Sequence, residues 1–395
     1  MWATHIPANV ATPQPNANSP GRTTDSDFPG TNPVPRIVTF GEIMARMAPA
    51  GVLRLRQVLP GSLDVTFAGA EANVAASLAL LGIEVDFVTS LPADSPLTES
   101  CLASLRSLGI GTQHISVSDR GRFGVYFVEM GANQRPSRVY YDREHSAISQ
   151  VESSEFDWQK ILDGADWLHL TGITPALSRQ AAETTIAAAA TANERGVKVS
   201  CDVNFRSKLW RWDAEKSPRE LAGAVLNRLM PLISLLLANE DDAGLLGIVL
   251  PAQSGAAVSG AASRAAEVAA ALYRRYPNLQ YIATTLREQL SASHNNWSAM
   301  LFDTRQGTVT VAPFRNGVLR PYEIRNIVDR VGSGDAFDAG LLYGLIHPGF
   351  TLQRTLEFAT AASCLAHSIV GDCNFASRSE IEDLIDGASS GRVVR

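Results

Sequence analysis

Asp329-Arg330-Val331-Gly332-Ser333-Gly334-Asp335-Ala336-Phe337-Asp338-Ala339-Gly340 sets two glycines and a carboxylate at the start of an apolar helical pattern. Gly332 and Gly334 allow close backbone approach, and the free N–H groups of the following helix, at its positive dipole end, form a cradle for an anion. Asp335 stands beside that cradle, placed to take a proton from a hydroxyl group. Gly-Ser-Gly-Asp is also a common loop string, and Asp is a frequent N-cap residue. The flanks favour chemistry. The strand-like run Tyr322-Glu323-Ile324-Arg325-Asn326-Ile327-Val328 precedes the turn, and Leu341, Leu342, Tyr343 and Leu345 follow at helical spacing.

A chain of 395 residues, 45% apolar and 19% charged, has material for one large α/β domain or two smaller ones. The net charge of -6 comes without a basic run, aromatic–basic interleaving or zinc-type Cys/His spacing. That argues against a nucleic-acid surface and for a small-molecule site. Cys101, Cys201, Cys364 and Cys373 are dispersed, so neither a disulfide framework nor a metal cluster is expected. No apolar run approaches the ~20 residues that span a bilayer. The N-terminus has neither the basic start nor the apolar core of a secretory signal, so a cytoplasmic protein without membrane contact is expected.

Residues 1–35, rich in Pro, Asn, Thr and Ser, cannot bury enough surface to offset their ordering entropy and read as a disordered tail. Folded structure is expected over 36–390. Strand-like runs at 36–42, 85–90, 167–170 and 197–203 alternate with helical patterns at 97–108 and 178–195, which predicts parallel βαβ units. Residues 53–67 and 122–141 alternate without helices and predict a small β lid built from about 44–67 and 122–142. Residues 251–263, rich in Ala, Gly and Ser, read as a surface insertion.

The turn at 329–335 resembles the C-terminal signature of the ribokinase family of sugar kinases (PfkB-type), with Arg330 in place of the usual Thr and Ser333 in place of Ala. The resemblance implies an α/β fold, a three-layer α/β/α sandwich with a small β-sheet lid, and homo-oligomerisation through that lid. It implies ATP and Mg²⁺ as cofactors, Asp335 as the base that activates the acceptor hydroxyl, and Gly332, Ser333 and Gly334 as the anion hole.

Gly69-Ala70-Glu71-Ala72-Asn73 is similar to the family's N-terminal signature, in which the glycine turn and Asn73 hold sugar hydroxyls, with Ala70 in place of a second Gly. A helix packed through Ala is the plain alternative. Thr98 stands where the family usually shows Gly. Tyr126, and later Tyr141-Asp142-Arg143 with Ser146-Ala147, resemble the 2-keto-3-deoxygluconate kinase subgroup, in which tyrosines and an arginine grip the acid sugar. A guanidinium suits a carboxylate because it offers two parallel hydrogen bonds.

Asp202-Val203-Asn204-Phe205-Arg206 closes a predicted parallel strand, where open α/β sheets bind ligands. It is similar to the family's Asp-x-Asn-x-Arg loop, which implies that Asn204 and Arg206 touch ATP and that Arg206 also reaches the substrate acid. Asn239-Glu240-Asp241-Asp242 is either a helix N-cap or the family's Asn-x-x-Glu motif, with Asn239 and Asp242 holding Mg²⁺ through water. The nucleotide loop departs most: residues 282–293 carry Thr285-Leu286-Arg287-Glu288 where relatives have a glycine turn, and Thr285 and Arg287 are carried over as nucleotide contacts. Asp372, in Gly371-Asp372-Cys373-Asn374, is expected to reach the substrate.

Together these matches imply an ATP-dependent kinase of 2-keto-3-deoxygluconate or a related acid sugar. A kinase of fructose or 5-dehydro-2-deoxygluconate, and a catalytically silent sugar-binding regulator, stay open. A dinucleotide oxidoreductase would need Gly-x-Gly-x-x-Gly after the first strand, which residues 37–44 lack. Because the composition of 1–35 forms no core, a chain beginning at Pro35 is expected to keep its Tm within about two degrees and its kcat. Thermal melts and steady-state assays of the truncated chain check this.

Overall fold

The computed structural model describes residues 34–250 and 258–387. The tail expected over 1–35 therefore lies outside the described residues except for Val34 and Pro35, as do 251–257 of the expected insertion and 388–390 of the expected domain.

Arg36–Phe40 is an apolar, β-branched run, and it lies inside the main sheet between Glu84–Val88 and Trp167–Thr171, parallel to both. Lys198–Asp202, Leu235–Leu237 and Tyr281–Ser291 extend the parallel order. The sheet finishes with the antiparallel His294–Asp303, which pairs with both Thr308–Ala312 and Tyr322–Arg325. Parallel neighbours require crossovers, here supplied by Arg179–Glu194, Pro218–Leu229 and Val258–Arg275. Ser178 caps the first of these, its hydroxyl accepting the Ala181 N–H at 3.0 Å. Ser217 and Glu220 form a capping box on the second.

Alternation along the strands divides the core into two. Val38, Phe40, Leu168, Leu170, Val199 and Ile282 face the three crossover helices. Ile37, Trp167, Leu235, Leu237 and Ala283 face Ala70–Leu80, Pro96–Ser107, Ser333–Ile346 and Leu352–Ala366. The result is a three-layer α/β/α sandwich, and both faces of its sheet are dry.

A second, four-stranded sheet has the order Asp64–Ala68, Met44–Ala48, Gly124–Glu129, Arg138–Asp142. Two expectations need correction. Residues 53–67 do not alternate throughout: Leu55–Val58 is one helical turn, because Glu129 accepts both the Leu55 N–H at 2.9 Å and the Arg54 guanidinium at 2.6 Å. The expected insertion is helical from Val258 onward, its alanines favouring the helix that their loop-like composition concealed.

The two sheets are locked by one side chain. Arg46, 3% exposed, points from Met44–Ala48 to Asp329 at 2.5 Å and to Asp372, while Tyr126 donates to the other Asp372 oxygen at 2.6 Å. Burial opposes the charge of Arg46, but Asp372 and Asp329 outweigh it and hold its pKa above the ordinary value. Arg46→Ala leaves two buried carboxylates without a countercharge, so the unfolding free energy is expected to fall by about 3–5 kcal/mol. Urea denaturation at neutral pH measures it.

Candidate active site

The carboxyl ends of the parallel strands open into a cavity of about 780 Å³, the position at which open α/β sheets take ligands. Glu42 follows the first strand. Asp202, Asn204 and Arg206 follow another, Asn239 and Asp242 the next, and Thr285 and Arg287 come from Tyr281–Ser291. The small sheet and the segment after it add Tyr126, Tyr141 and Arg143, and residues 330–335 form the floor.

The floor is built from local bonds. Asp329 Oδ1 accepts the N–H groups of Arg330 at 2.7 Å and Val331 at 3.0 Å, and the Ser333 hydroxyl donates to the Arg330 carbonyl at 3.0 Å. Gly332 has φ +82°, and a Cβ there would collide with the Asp372 carbonyl, so only glycine fits. The first bond of the helix Ser333–Ile346 runs from the Ala336 N–H to the Gly332 carbonyl at 2.9 Å. The N–H groups of Ser333, Gly334 and Asp335 therefore have no acceptor within the helix. A Cβ on Gly334 would meet nothing within 4 Å, which leaves the space above those amides open.

Asp335 is buried beside these amides. Asn73 Nδ2 donates to Asp335 Oδ2 at 2.6 Å, leaving Oδ1 for an incoming hydroxyl. Burial, reinforced by the charges of Asp372 and Glu71 and opposed by the Asn73 bond, pushes the Asp335 carboxyl up to about 7. The other end of Asn73 accepts the Gly69 N–H at 3.3 Å. Asn73, assigned by resemblance to sugar hydroxyls, is thus engaged at both ends by the protein and orients Asp335. Gly69 admits no Cβ because the Glu42 carbonyl lies against it, and Ala70 opens the helix that carries Asn73.

Asn204 adopts φ +41°, and its N–H meets Asp202 Oδ1 at 3.1 Å. Burial, with the charges of Asp242 and Asp335, raises the Asp202 carboxyl, and burial likewise raises that of Asp242. Asn239 and Asp242 form a reciprocal capping box, with the Asp242 N–H on Asn239 Oδ1 at 3.0 Å. Among the described residues no group of three or more His, Cys, Asp or Glu is arranged to hold a metal ion. Tyr126 and Tyr141 pack with ring centroids 5.8 Å apart, and the Arg143 guanidinium lies 5.3 Å from the Tyr141 centroid. Arg143 also pairs with Glu42, with both side chains buried, and its Nε has no partner. Arg206 is exposed and bonds only the neighbouring Phe205 carbonyl, at 3.1 Å.

Residues 282–293 are not a loop. Tyr281–Ser291 and His294–Asp303 form a long antiparallel hairpin that keeps pairing beyond the parallel sheet, as its β-branched and alternating residues favour. A second cavity of about 460 Å³ lies against it, lined by Glu240, Ala261, Arg264, Leu286 and Pro321, and sharing Asn239, Thr285 and Arg287 with the first. Thr98 lies outside both cavities: its hydroxyl donates to the Pro92 carbonyl at 2.7 Å at the start of Pro96–Ser107.

Sequence reasoning missed Glu42, Arg46, Arg219 and Arg330. The signal for Glu42 was present, since it lies just past the first parallel strand, after Gly41. Arg206, Arg219, Arg287 and Arg330 all line the larger cavity without a carboxylate at ion-pair distance among the described residues.

The profile of the pfkB family of carbohydrate kinases matches residues 34–270 and 304–378. The chain belongs to that family and is a carbohydrate kinase. A 2-dehydro-3-deoxygalactonokinase of Haloferax volcanii is 30% identical over 358 residues, 90% of this chain and 98% of its own. A 2-dehydro-3-deoxygluconokinase of Thermoproteus tenax is 26% identical over 329 residues, 81% of this chain and 87% of its own. The crystal structure of 2-dehydro-3-deoxygluconokinase from Thermotoga maritima superposes with a TM-score of 0.79 at 43% identity, covering 89% of this chain and 100% of that one. Sugar kinases of this family use ATP. Among the described residues no helix is long and apolar enough to cross a membrane.

Asp335 couples stability to pH. Its ordinary value is 3.8 and its folded value about 7, so the stability it allows is greatest below 3.8 and is lost as pH rises to about 7. Asp335→Asn accepts the same Asn73 bond without the charge. Its Tm is expected to exceed that of wild type by a margin that grows from pH 5 to pH 8 and then stays level, while kcat falls about 10²- to 10⁴-fold. Calorimetric melts at the two pH values and initial rates check both halves.

Proposed function

We propose that the protein transfers the γ-phosphoryl group of ATP to a hydroxyl of 2-keto-3-deoxygluconate or its galacto epimer. The observation that carries this reading is the set of four arginines, Arg206, Arg219, Arg287 and Arg330, that line the cavity of Asp335 with no carboxylate at ion-pair distance among the described residues. A neutral sugar leaves such charge unmatched on its side of the site, whereas an acid sugar and a triphosphate complement it. The names of the relatives from Haloferax volcanii and Thermotoga maritima support the same substrate class.

In this reading Asp335 Oδ1 accepts the hydroxyl proton, and Asn73 fixes the plane of the carboxylate. The amides of Ser333, Gly334 and Asp335 stabilise charge on the transferring group. The sugar lies under the small sheet as a lid, between Tyr126, Tyr141 and Asp372, with its carboxylate on Arg206 and on the free edge of Arg143. ATP runs across Asn204, Asn239, Thr285 and Arg287, its base toward the second cavity. Mg²⁺, when bound, neutralises phosphate charge and aligns the triphosphate. Asn239 and Asp242 would hold it through water, since both line the cavity and Asp242 lies buried at its wall. Four free cysteines fit the reducing cytoplasm, and Val65, Tyr140 and Tyr141, exposed on the small sheet, fit a second copy of the chain.

A coupled ADP-release assay over 2-keto-3-deoxygluconate, its galacto epimer, fructose, ribose and 5-dehydro-2-deoxygluconate tests the reading. Wild type is expected to favour the two 3-deoxy keto acids. Arg206→Gln should lower the ratio of their kcat/KM to that of fructose at least about tenfold, the worth of one charged hydrogen bond. A wild-type preference for a neutral sugar overturns the acid-sugar assignment, and no ADP release with any sugar indicates a binder.

A further inference from the structure

Arg330 occupies the wall of the anion cradle, yet its side chain holds no part of the turn together. Its guanidinium reaches the tip of the hairpin, where Nη2 donates to the Ala292 carbonyl and, at 3.4 Å, to the Ser291 carbonyl. Two neutral carbonyls fix the direction of the group and leave its charge unmatched. Arg287, on the strand that ends at Ser291, lines the same cavity and also lacks a carboxylate partner among the described residues. Burial and the charge of Arg287, against the weaker pull of Asp329, lower the pKa of Arg330. Two cations so placed repel each other unless an anion lies between them. Arg287 lines both cavities, and in the larger one it shares the lining with Arg330 and residues 333–335.

We propose that Arg330, tethered to the hairpin and acting with Arg287, grips the non-bridging oxygens of the phosphoryl group during transfer and is thereby a catalytic residue. The sugar oxygen bonds to the γ-phosphorus, the bond from that phosphorus to the β–γ bridging oxygen breaks, ADP leaves with the electron pair, and the hydroxyl proton passes to Asp335. Charge shared by the equatorial oxygens meets the planar fork of Arg330, oriented on the hairpin before the substrate arrives, and the charge of Arg287 beside it. The proposal rests on ATP as donor and is independent of which sugar accepts.

Arg330→Gln keeps a polar side chain and removes the charge, and Arg330→Lys keeps the charge without the fork. With the best sugar of the panel and well below the melting temperature, Arg330→Gln is expected to lose kcat about 10²- to 10³-fold. Its sugar KM should stay within about threefold, and Arg330→Lys should recover part of the loss. Calorimetric binding of MgADP with aluminium fluoride and sugar, a mimic of the group in flight, should weaken by a similar factor, and binding of MgADP alone by much less. A kcat within about twofold of wild type, a rise in sugar KM at constant kcat, or equal weakening of MgADP and of its aluminium fluoride complex each overturn the proposal. Wild type that releases ADP with no sugar overturns the kinase reading itself, an outcome visible before any variant is made.

Discussion

Arg46 holds the site in shape. Its guanidinium lies between Asp329 and Asp372, and each of those carboxylates has a second task. The free oxygen of Asp329 gathers the N–H groups of Arg330 and Val331 into the turn, and that of Asp372 takes the Tyr126 hydroxyl. One buried cation thus sets the turn on the main sheet and the position of the small sheet at once. The desolvation of three charges makes this a costly way to gain stability alone. What it supplies is a fixed relation between the wall that covers the cavity and the amides at its floor.

The charges around the cavity are unevenly matched, and in two opposite ways. Asp242, Asp335 and Asp372 are buried and Asp202 half-buried, and desolvation makes each reluctant to ionise. Arg206, Arg219 and Arg287 are exposed, with no acid at ion-pair distance among the described residues. Acids whose ionisation is disfavoured within, and guanidinium groups toward solvent, leave the exposed part of the cavity richer in positive charge. Such a field draws anionic ligands in. It also leaves fixed donors where charge develops, without reorganisation during the reaction.

Much of this was legible in the chain. The glycine turn, Asp335 and the alternation of buried strands with helices depend on neighbours in sequence, so spacing alone exposes them. The Arg46 clamp does not: its partners lie 283 and 326 residues away. The pairing of Arg143 with Glu42 spans 101 residues, and no local pattern marks it. The helix and turn that carry Asn73 are local, but its contact with Asp335 crosses 262 residues and no spacing marks it. Residues 282–293 read as a loop because the departure from a glycine turn is local, whereas the pairing of Tyr281–Ser291 with His294–Asp303 is not.

The placement of Asp335 shows why burial and chemistry cannot be separated here. An exposed aspartate, with an ordinary value of 3.8, is ionised at neutral pH but holds a proton weakly. The walls that enclose the cavity raise Asp335 to about 7, near the pH at which a base is both available and strong enough to act. Left to burial and to its acidic neighbours Asp372 and Glu71, the carboxyl would rise further and remain protonated. The Asn73 amide and the more distant charge of Arg206 oppose that rise. Asn73 therefore sets the balance between a base that is too weak and one that is never free, and it does so from the first turn of a helix whose N-terminus packs against Glu42 through Gly69.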